Sequence, residues 1–181
     1  MTVGLALKIN NKIKIAFDRM LSDENNSFCV PDSKMIKIGN FIFGFAGDLK
    51  DFKRIEQAKE FIEFKIKNTM EHEVISKQIF NFVDRRGNVI LCSKDKISAF
   101  NYDSSATKIR EAKILCHNDK EFISVGIGKE LIVGNLYSNK EMDFESIFKN
   151  AFTMCNSYYP ESISYKHDIY DLENFEIKTV E

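Results

Sequence analysis

The sequence contains no tryptophan, only two prolines and four scattered cysteines, and it has no long apolar run. A membrane helix needs about 20 consecutive apolar residues, and a secretory signal needs a basic segment before an apolar one, so we expect neither. The cysteines form no CxxC motif. Apart from the adjacent Cys116 and His117, whose side chains would point to opposite faces of a strand, they keep no metal-ligand spacing to a histidine. We therefore expect a cytoplasmic protein with reduced thiols, no metal and no cofactor.

An excess of charge of one sign is also missing, because 26 basic and 27 acidic residues give a net charge of -1. A balanced surface does not attract nucleic acid or an anionic membrane over long range, so we expect neither as a partner. What the chain does have is 181 residues, 44% of them hydrophobic, including 16 phenylalanines. That is enough to bury a substantial core, and we expect one domain spanning residues 1–181.

The first 20 residues predict a β-hairpin. Apolar residues alternate with other residues before and after Asn10 and Asn11, and a two-residue asparagine turn tolerates the left-handed backbone of a tight hairpin. Folding about this turn sets Asp18 opposite Val3, one residue from Thr2. The hairpin therefore delivers a carboxylate to the amino terminus.

A second hairpin is predicted from residues 33–38 and 41–47, which alternate on either side of a Gly-Asn turn. This register places Lys34 opposite Phe45, near the end of a strand that finishes on the small residue Gly47. A threonine hydroxyl, a lysine, an aspartate and a small strand end would then converge on one candidate site.

These residue types fit nucleophilic catalysis. Removal of Met1 would free the α-amino group of Thr2, which can act as the base for its own hydroxyl. The ammonium of Lys34 would lower the pKa of that amine and stabilise the alkoxide, and Asp18 would hold Lys34 charged and oriented. The backbone N–H of Gly47 would serve as an oxyanion donor. The alternative is a solvated ion pair beside an ordinary strand.

The spacing of these residues resembles the amino-terminal third of proteasome β-subunits and of their bacterial relative HslV. In that family a terminal threonine, an acidic residue ending the second strand, a lysine beginning the third and an Ala-Gly pair occur at almost the same intervals. The fit covers residues 2–48. The resemblance implies a threonine endopeptidase of the N-terminal-nucleophile (Ntn) hydrolase type, assembled as a homo-oligomeric ring or stacked rings. It also implies peptide or unfolded-protein substrates, and it admits an AAA+ ATPase unfoldase as a partner.

Residues 19–33 are polar, contain Pro31 and are too irregular to form a strand throughout, so we predict a loop or a short arm there. In the resembled family the matching segment borders the substrate cleft. The resemblance therefore makes Leu21, Ser22 and Asp23 candidate wall residues for the substrate, whereas the alternative is an ordinary surface loop.

Two positions depart from the family pattern. Alignment places Ile127 where the family has a serine beside the nucleophile, and it places Ser157 near the position of a late acidic residue. These departures favour a rival hypothesis, a catalytically silent structural or assembly subunit with the same fold. A chain that keeps Met1 would be silent too, since Thr2 then has no free amine. A third hypothesis is an Ntn amidohydrolase acting on a small amide.

The rest of the sequence predicts helices and strands in separate groups along the chain. Apolar residues recur every three or four positions at 48–70, 73–84, 129–137 and 143–156, with Asp48 as the cap of the first helix. Strands are predicted at 89–93, 96–103, 107–115, 121–125, 163–166 and 174–180. This order favours an α+β fold, a four-layer α-β-β-α sandwich of two antiparallel sheets flanked by helix pairs, which is also the Ntn-hydrolase architecture that the resemblance implies. The predicted core includes Val3, Leu5, Ile13, Ile15, Ile36, Phe43, Ile90 and Ile97.

Overall fold

The computed structural model describes residues 2–22, 27–29, 33–106, 108–117, 119–138 and 143–180. The strands are β1 (Val3–Ile9), β2 (Lys12–Asp18), β3 (Met20–Ser22), β4 (Ser27–Cys29), β5 (Met35–Ile38), β6 (Phe41–Gly47), β7 (Arg86–Cys92), β8 (Ile97–Asp103), β9 (Lys108–Glu111), β10 (Leu115–His117), β11 (Lys120–Gly126), β12 (His167–Asp171) and β13 (Glu176–Val180). The helices are α1 (Leu49–Gln57), α2 (Lys59–Ile66), α3 (His72–Phe80), α4 (Lys129–Ser138) and α5 (Phe144–Tyr158). None of these helices is both long and apolar enough to cross a membrane.

Two antiparallel sheets carry the fold. One has six strands in the order β10-β11-β1-β2-β12-β13, and the other has five in the order β5-β6-β7-β8-β9. Strands β3 and β4 pair separately as a short ribbon. The two sheets face each other, so the ends of β1, β2, β5 and β6 lie close together.

Three apolar clusters define four layers. The first lies between the sheets and contains Ile13, Ile15, Ile90 and Ile97. The second packs the five-stranded sheet against α1, α2 and α3, and the third packs the six-stranded sheet against α4 and α5. All eight residues of the predicted core are buried. The predicted α+β sandwich is therefore confirmed.

The first predicted helix is broken in two. Residues 48–70 carry one apolar stripe, but the structure has α1 and α2 separated at Ala58, whose φ of -86° and ψ of 4° leave the helical region. A single straight helix is therefore wrong, although Asp48 caps α1 as predicted, since its side chain accepts from the backbone N–H of Lys50 at 2.8 Å. Both short helices pack against the five-stranded sheet.

The predicted strand 107–115 is also wrong as one element. Its beginning forms β9 at the edge of the five-stranded sheet, and its last residue, Leu115, begins β10 at the edge of the six-stranded sheet. The chain leaves the first sheet after Glu111, where the backbone N–H of Ala112 donates to the carbonyl of Ala99. Alternation alone could not reveal this change of sheet, because both pieces keep the same period.

Two further segments differ in detail from the expectation. The predicted loop or short arm at 19–33 contains a short ribbon, in which β3 pairs with β4. The strand expected at 163–166 is wrong in position, because the strand lies further along the chain as β12, which begins at His167. Burial explains the shift, since β12 pairs with β2 and sets His167 beside Asp18 in the sheet.

Candidate active site

The β1–β2 hairpin brings the carboxylate of Asp18 to the start of the chain. Asn10 and Asn11 both have positive φ, at 50° and 64°, as the predicted tight turn requires. The register pairs Gly4 with Phe17 in the two strands, and the backbone N–H of Val3 donates to Oδ1 of Asp18 at 2.9 Å. The predicted placement of Asp18 is confirmed.

The β5–β6 hairpin brings Lys34 to the same point. The backbone N–H of Phe45 donates to the carbonyl of Lys34 at 3.3 Å, which is the predicted pairing. The Lys34 ammonium donates to Oγ1 of Thr2 at 2.8 Å and to Oδ1 of Asp18 at 3.1 Å, and it also contacts the carbonyl of Met20. Three acceptors match the three N–H donors of an ammonium group. The geometry holds Lys34 as a cation directly beside the threonine hydroxyl.

These groups lie inside the protein. The exposed fractions are 6% for Thr2, 4% for Lys34 and 0% for Asp18. Burial raises the pKa of the Asp18 carboxyl above its usual range, and the Lys34 ammonium and the backbone N–H groups of Val3 and Met20 offset only part of this rise. Because charge is costly in such surroundings, each partner depends on the other, and removal of one would leave the other uncompensated.

Sequence reasoning missed how the backbone of Thr2 is held. The N–H of Ile127 donates to the carbonyl of Thr2 at 3.1 Å, just after β11 ends. Gly126 has a φ of +90°, and a Cβ there would overlap that carbonyl. Only glycine fits such a close approach in this left-handed conformation. The signal in the sequence is Gly126-Ile127-Gly128, because two glycines so close together indicate a turn or a close approach of the backbone.

A second missed feature is the packing of Phe17, the residue before Asp18. The ring of Phe17 fills the space that a Cβ would need at Gly4 on the neighbouring strand and at Gly44 in the opposite sheet. The two glycines thus let one phenylalanine bridge the sheets next to the site. Glycines inside strands often mark such close approaches, so this signal was present in the sequence.

A cavity of about 500 Å³ opens beside the threonine. Thr2 and Gly47 both line it, so the structure brings Gly47 to the same space as the candidate nucleophile. A larger concave region of about 860 Å³ lies elsewhere, around Asp48, Asp51 and Asp103. Since Thr2 does not line that region, the smaller cavity is the one that a substrate of Thr2 would enter.

The other candidate residues are placed less fully. Leu21 and Ser22 lie in β3, and Asp23 lies outside the described residues. Ile127 lines the cavity, and its side chain packs against the apolar cluster between the six-stranded sheet and the helices α4 and α5. The hydroxyl of Ser157 donates to the carbonyl of Thr153 on the exposed side of α5, so it takes no part in the cluster around Lys34.

Solved structures share this arrangement of layers. HslV from Trypanosoma brucei superimposes with a TM-score of 0.65 and 16% sequence identity, covering 94% of this chain and 98% of HslV. Anbu from Hyphomicrobium sp. strain MC1 gives a TM-score of 0.63 at 14% identity, covering 98% of this chain and 86% of Anbu. The chain has the fold of HslV and Anbu.

The same fold is found in a structure that holds a bound compound. BPH from Thiobacillus denitrificans, solved in complex with epoxomicin, gives a TM-score of 0.63 at 14% identity and covers 95% of this chain and 99% of BPH. No protein-family model matches the sequence, and no curated protein matches it either. At these identities the HslV-like likeness is one of fold, and the chemistry has to be argued from the residues.

Proposed function

We propose that the chain is a threonine-type peptidase subunit of a self-compartmentalising, HslV-like complex, with Thr2 as nucleophile after removal of Met1. One observation carries the proposal. The Lys34 ammonium lies 2.8 Å from the Thr2 hydroxyl and 3.1 Å from the Asp18 carboxylate, within a buried cluster at the edge of a cavity. Such a triad is difficult to explain by stability alone, because buried ion pairs contribute little net stability.

The first step uses the amine that Met1 removal creates. Its pKa in model peptides is about 7.7–8.0, so a useful fraction is neutral near pH 7. The neutral amine of Thr2 takes the proton from Oγ1 as that oxygen attacks the carbonyl carbon of a peptide bond. Lys34 stays protonated, because Asp18 and the carbonyl of Met20 hold its other donors. Its positive charge therefore stabilises the forming alkoxide.

The attack forms a tetrahedral intermediate with a negative oxygen. In our proposal the backbone N–H of Gly47 donates to that oxygen, because Gly47 lines the cavity with Thr2. The protonated amine of Thr2 then gives its proton to the departing amine of the product. This leaves an ester between the substrate acyl group and Oγ1, which a water molecule cleaves with the same amine as base.

The assembly and substrates belong to the same proposal. We expect a homo-oligomeric ring or stacked rings that enclose the Thr2 sites, acting on peptides or unfolded proteins, with an AAA+ ATPase unfoldase as the partner that delivers proteins. The likeness to HslV and to Anbu from Yersinia bercovieri, described as an ancestral beta-subunit, supports a ring. We also propose a cytoplasmic location, with which the free thiols of Cys92, Cys116 and Cys155 agree.

A second candidate function is a silent ring subunit with the same fold. It is favoured by Ile127, which lines the cavity where the resembled family has a serine and which supplies no hydroxyl. The two candidates differ in whether Thr2 has a free amine and reacts.

Intact-mass measurement separates the two. The peptidase hypothesis predicts a mass lower by one methionine, and one covalent adduct per chain after incubation with epoxomicin, the compound bound by the BPH structure. Thr2→Ala should lose the adduct. Retention of Met1 with no adduct, in correctly folded protein, would instead establish the silent subunit.

A further inference from the structure

The cavity beside Thr2 carries charge of one sign. Its lining in the described part of the chain includes one charged residue, Lys129 at the start of α4, and no acidic residue. The amide side chains of Asn88 and Asn101 line the same space. Lys129 does contact Glu130, but at 3.7 Å and with both side chains largely exposed, so this ion pair holds it weakly.

The two asparagines interrupt an otherwise apolar surface. Asn88 and Asn101 are paired in the register of β7 and β8, and Asn88 is also paired with Ala46 of β6. Alternation along each strand puts them on the same face as Ile90 and Ala99, which belong to the apolar cluster between the sheets. The inner face of the five-stranded sheet therefore changes from hydrocarbon to amide donors where it reaches the cavity.

The neighbouring hydroxyl does not supply a donor. The side chain of Ser124, which also lines the cavity, donates to the carbonyl of Gly4 at 3.0 Å. Apart from Thr2 and the backbone N–H of Gly47, which the proposed reaction uses, the side-chain donors left to a ligand are the ammonium of Lys129 and the NH₂ groups of Asn88 and Asn101. An ammonium with amide N–H groups is a set suited to a carboxylate, which accepts hydrogen bonds at both oxygens.

We propose that this cavity binds a carboxylate of the substrate, so that cleavage favours peptides carrying one close to the scissile bond. The inference rests on the proposed peptidase function, because Thr2 lines the same cavity and fixes where the substrate lies. The carboxylate is either an acidic side chain or the free carboxyl terminus of a short peptide. Lys129 is the residue that determines this specificity.

Matched fluorogenic peptides test the proposal. One set carries Glu or Gln at each position in turn on both sides of the scissile bond, and a second set ends in a carboxylate or a carboxamide. We expect kcat/KM to be about fivefold higher for the charged member at one position, the size of effect that one exposed ion pair gives. The set in which this happens identifies the source of the carboxylate.

A pair of lysine variants makes the test specific. Lys129→Gln should remove the discrimination between charged and neutral peptides. Lys77→Gln is the matched control, since the Lys77 side chain is 54% exposed against 57% for Lys129, and it too pairs with a glutamate, Glu73, far from the cavity. Lys77→Gln should keep the wild-type preference. Glu130→Gln, which removes the competing partner, should keep or increase it.

Two outcomes would overturn the inference while leaving the peptidase intact. These are equal cleavage of every charged and neutral pair, or a preference that survives in Lys129→Gln. If no peptide is cleaved, the proposed function fails and binding decides the question, with the same peptides observed by NMR line broadening. Stronger broadening of the charged peptides by wild type than by Lys129→Gln would support the carboxylate site, and equal broadening would refute it.

Discussion

At the scale of single residues, the Thr2 hydroxyl and the Asp18 carboxylate share one cation. We predict that Lys34→Met abolishes epoxomicin labelling and lowers the free energy of unfolding by about 3 kcal/mol, because it leaves a buried carboxylate without its counter-ion. Labelling is read by intact mass, and stability by urea denaturation.

The double variant Asp18→Asn with Lys34→Met is the control for stability. It removes both charges, so it should recover part of the lost stability, and epoxomicin should still not label it. Labelling by either variant would show that the ammonium has no part in activating Thr2.

His72 makes stability depend on pH in a separate part of the molecule. Its ring is buried, with Nε2 3.1 Å from the hydroxyl of Ser93, and burial together with the charge of Lys96 lowers its pKa to about 4. Between pH 6.5 and pH 4 the unfolded chain binds a proton at this histidine and the folded chain does not. Stability therefore falls as pH is lowered through that window, by about 2 kcal/mol between pH 7 and pH 5.

The measurement compares urea midpoints at pH 7 and pH 5 in wild type and in His72→Gln, which cannot take up that proton. We expect a smaller difference in the variant. His167, whose pKa burial also lowers, keeps part of the dependence in both proteins. An equal difference in wild type and variant would show that His72 titrates alike in the folded and unfolded states.

At the scale of elements, the turn after β11 fixes the backbone of Thr2. We predict that Gly126→Ala loses epoxomicin labelling and is destabilised, because the new methyl group would overlap the Thr2 carbonyl and the residue has a φ of +90°. Gly134→Ala is the matched control, since a Cβ there meets nothing within 4 Å and the residue lies inside α4.

Helix propensity predicts that the control substitution changes stability in the opposite direction. Alanine inside a helix is favoured over glycine by about 1 kcal/mol, so Gly134→Ala should be at least as stable as wild type and should label fully. Full labelling by Gly126→Ala would mean that the contact between Thr2 and the turn is not needed for the reaction.

The sequence predicts well those elements whose formation depends on residues close together in the chain. Both hairpins around the site follow from alternation and from a two-residue turn, so the meeting of Asp18 and Lys34 near Thr2 could be predicted. The packing of the Phe17 ring against two glycines depends on contacts between sheets, which no local pattern of the sequence predicts. The same limit explains why Ala58 interrupts a continuous apolar stripe, and why the chain changes sheets after Glu111.

At the scale of the whole molecule, assembly and catalysis should be separable. Thr2 is buried between the sheets of its own chain, so its side chain does not form the outer surface on which neighbouring subunits would pack. We predict that Thr2→Ala gives the same ring as wild type in native mass spectrometry. A wild-type ring that dissociates in Thr2→Ala would tie assembly to the nucleophile, and a monomer in both would refute the proposed ring.

The central claim is that a liberated Thr2 reacts through its own hydroxyl. Its most direct test is the mass of the amino-terminal tryptic peptide after incubation of the assembled protein with epoxomicin. The account predicts a peptide that begins at Thr2, ends at Lys8 and carries one adduct. A peptide that still begins with Met1, or that begins at Thr2 and remains unmodified, would contradict it.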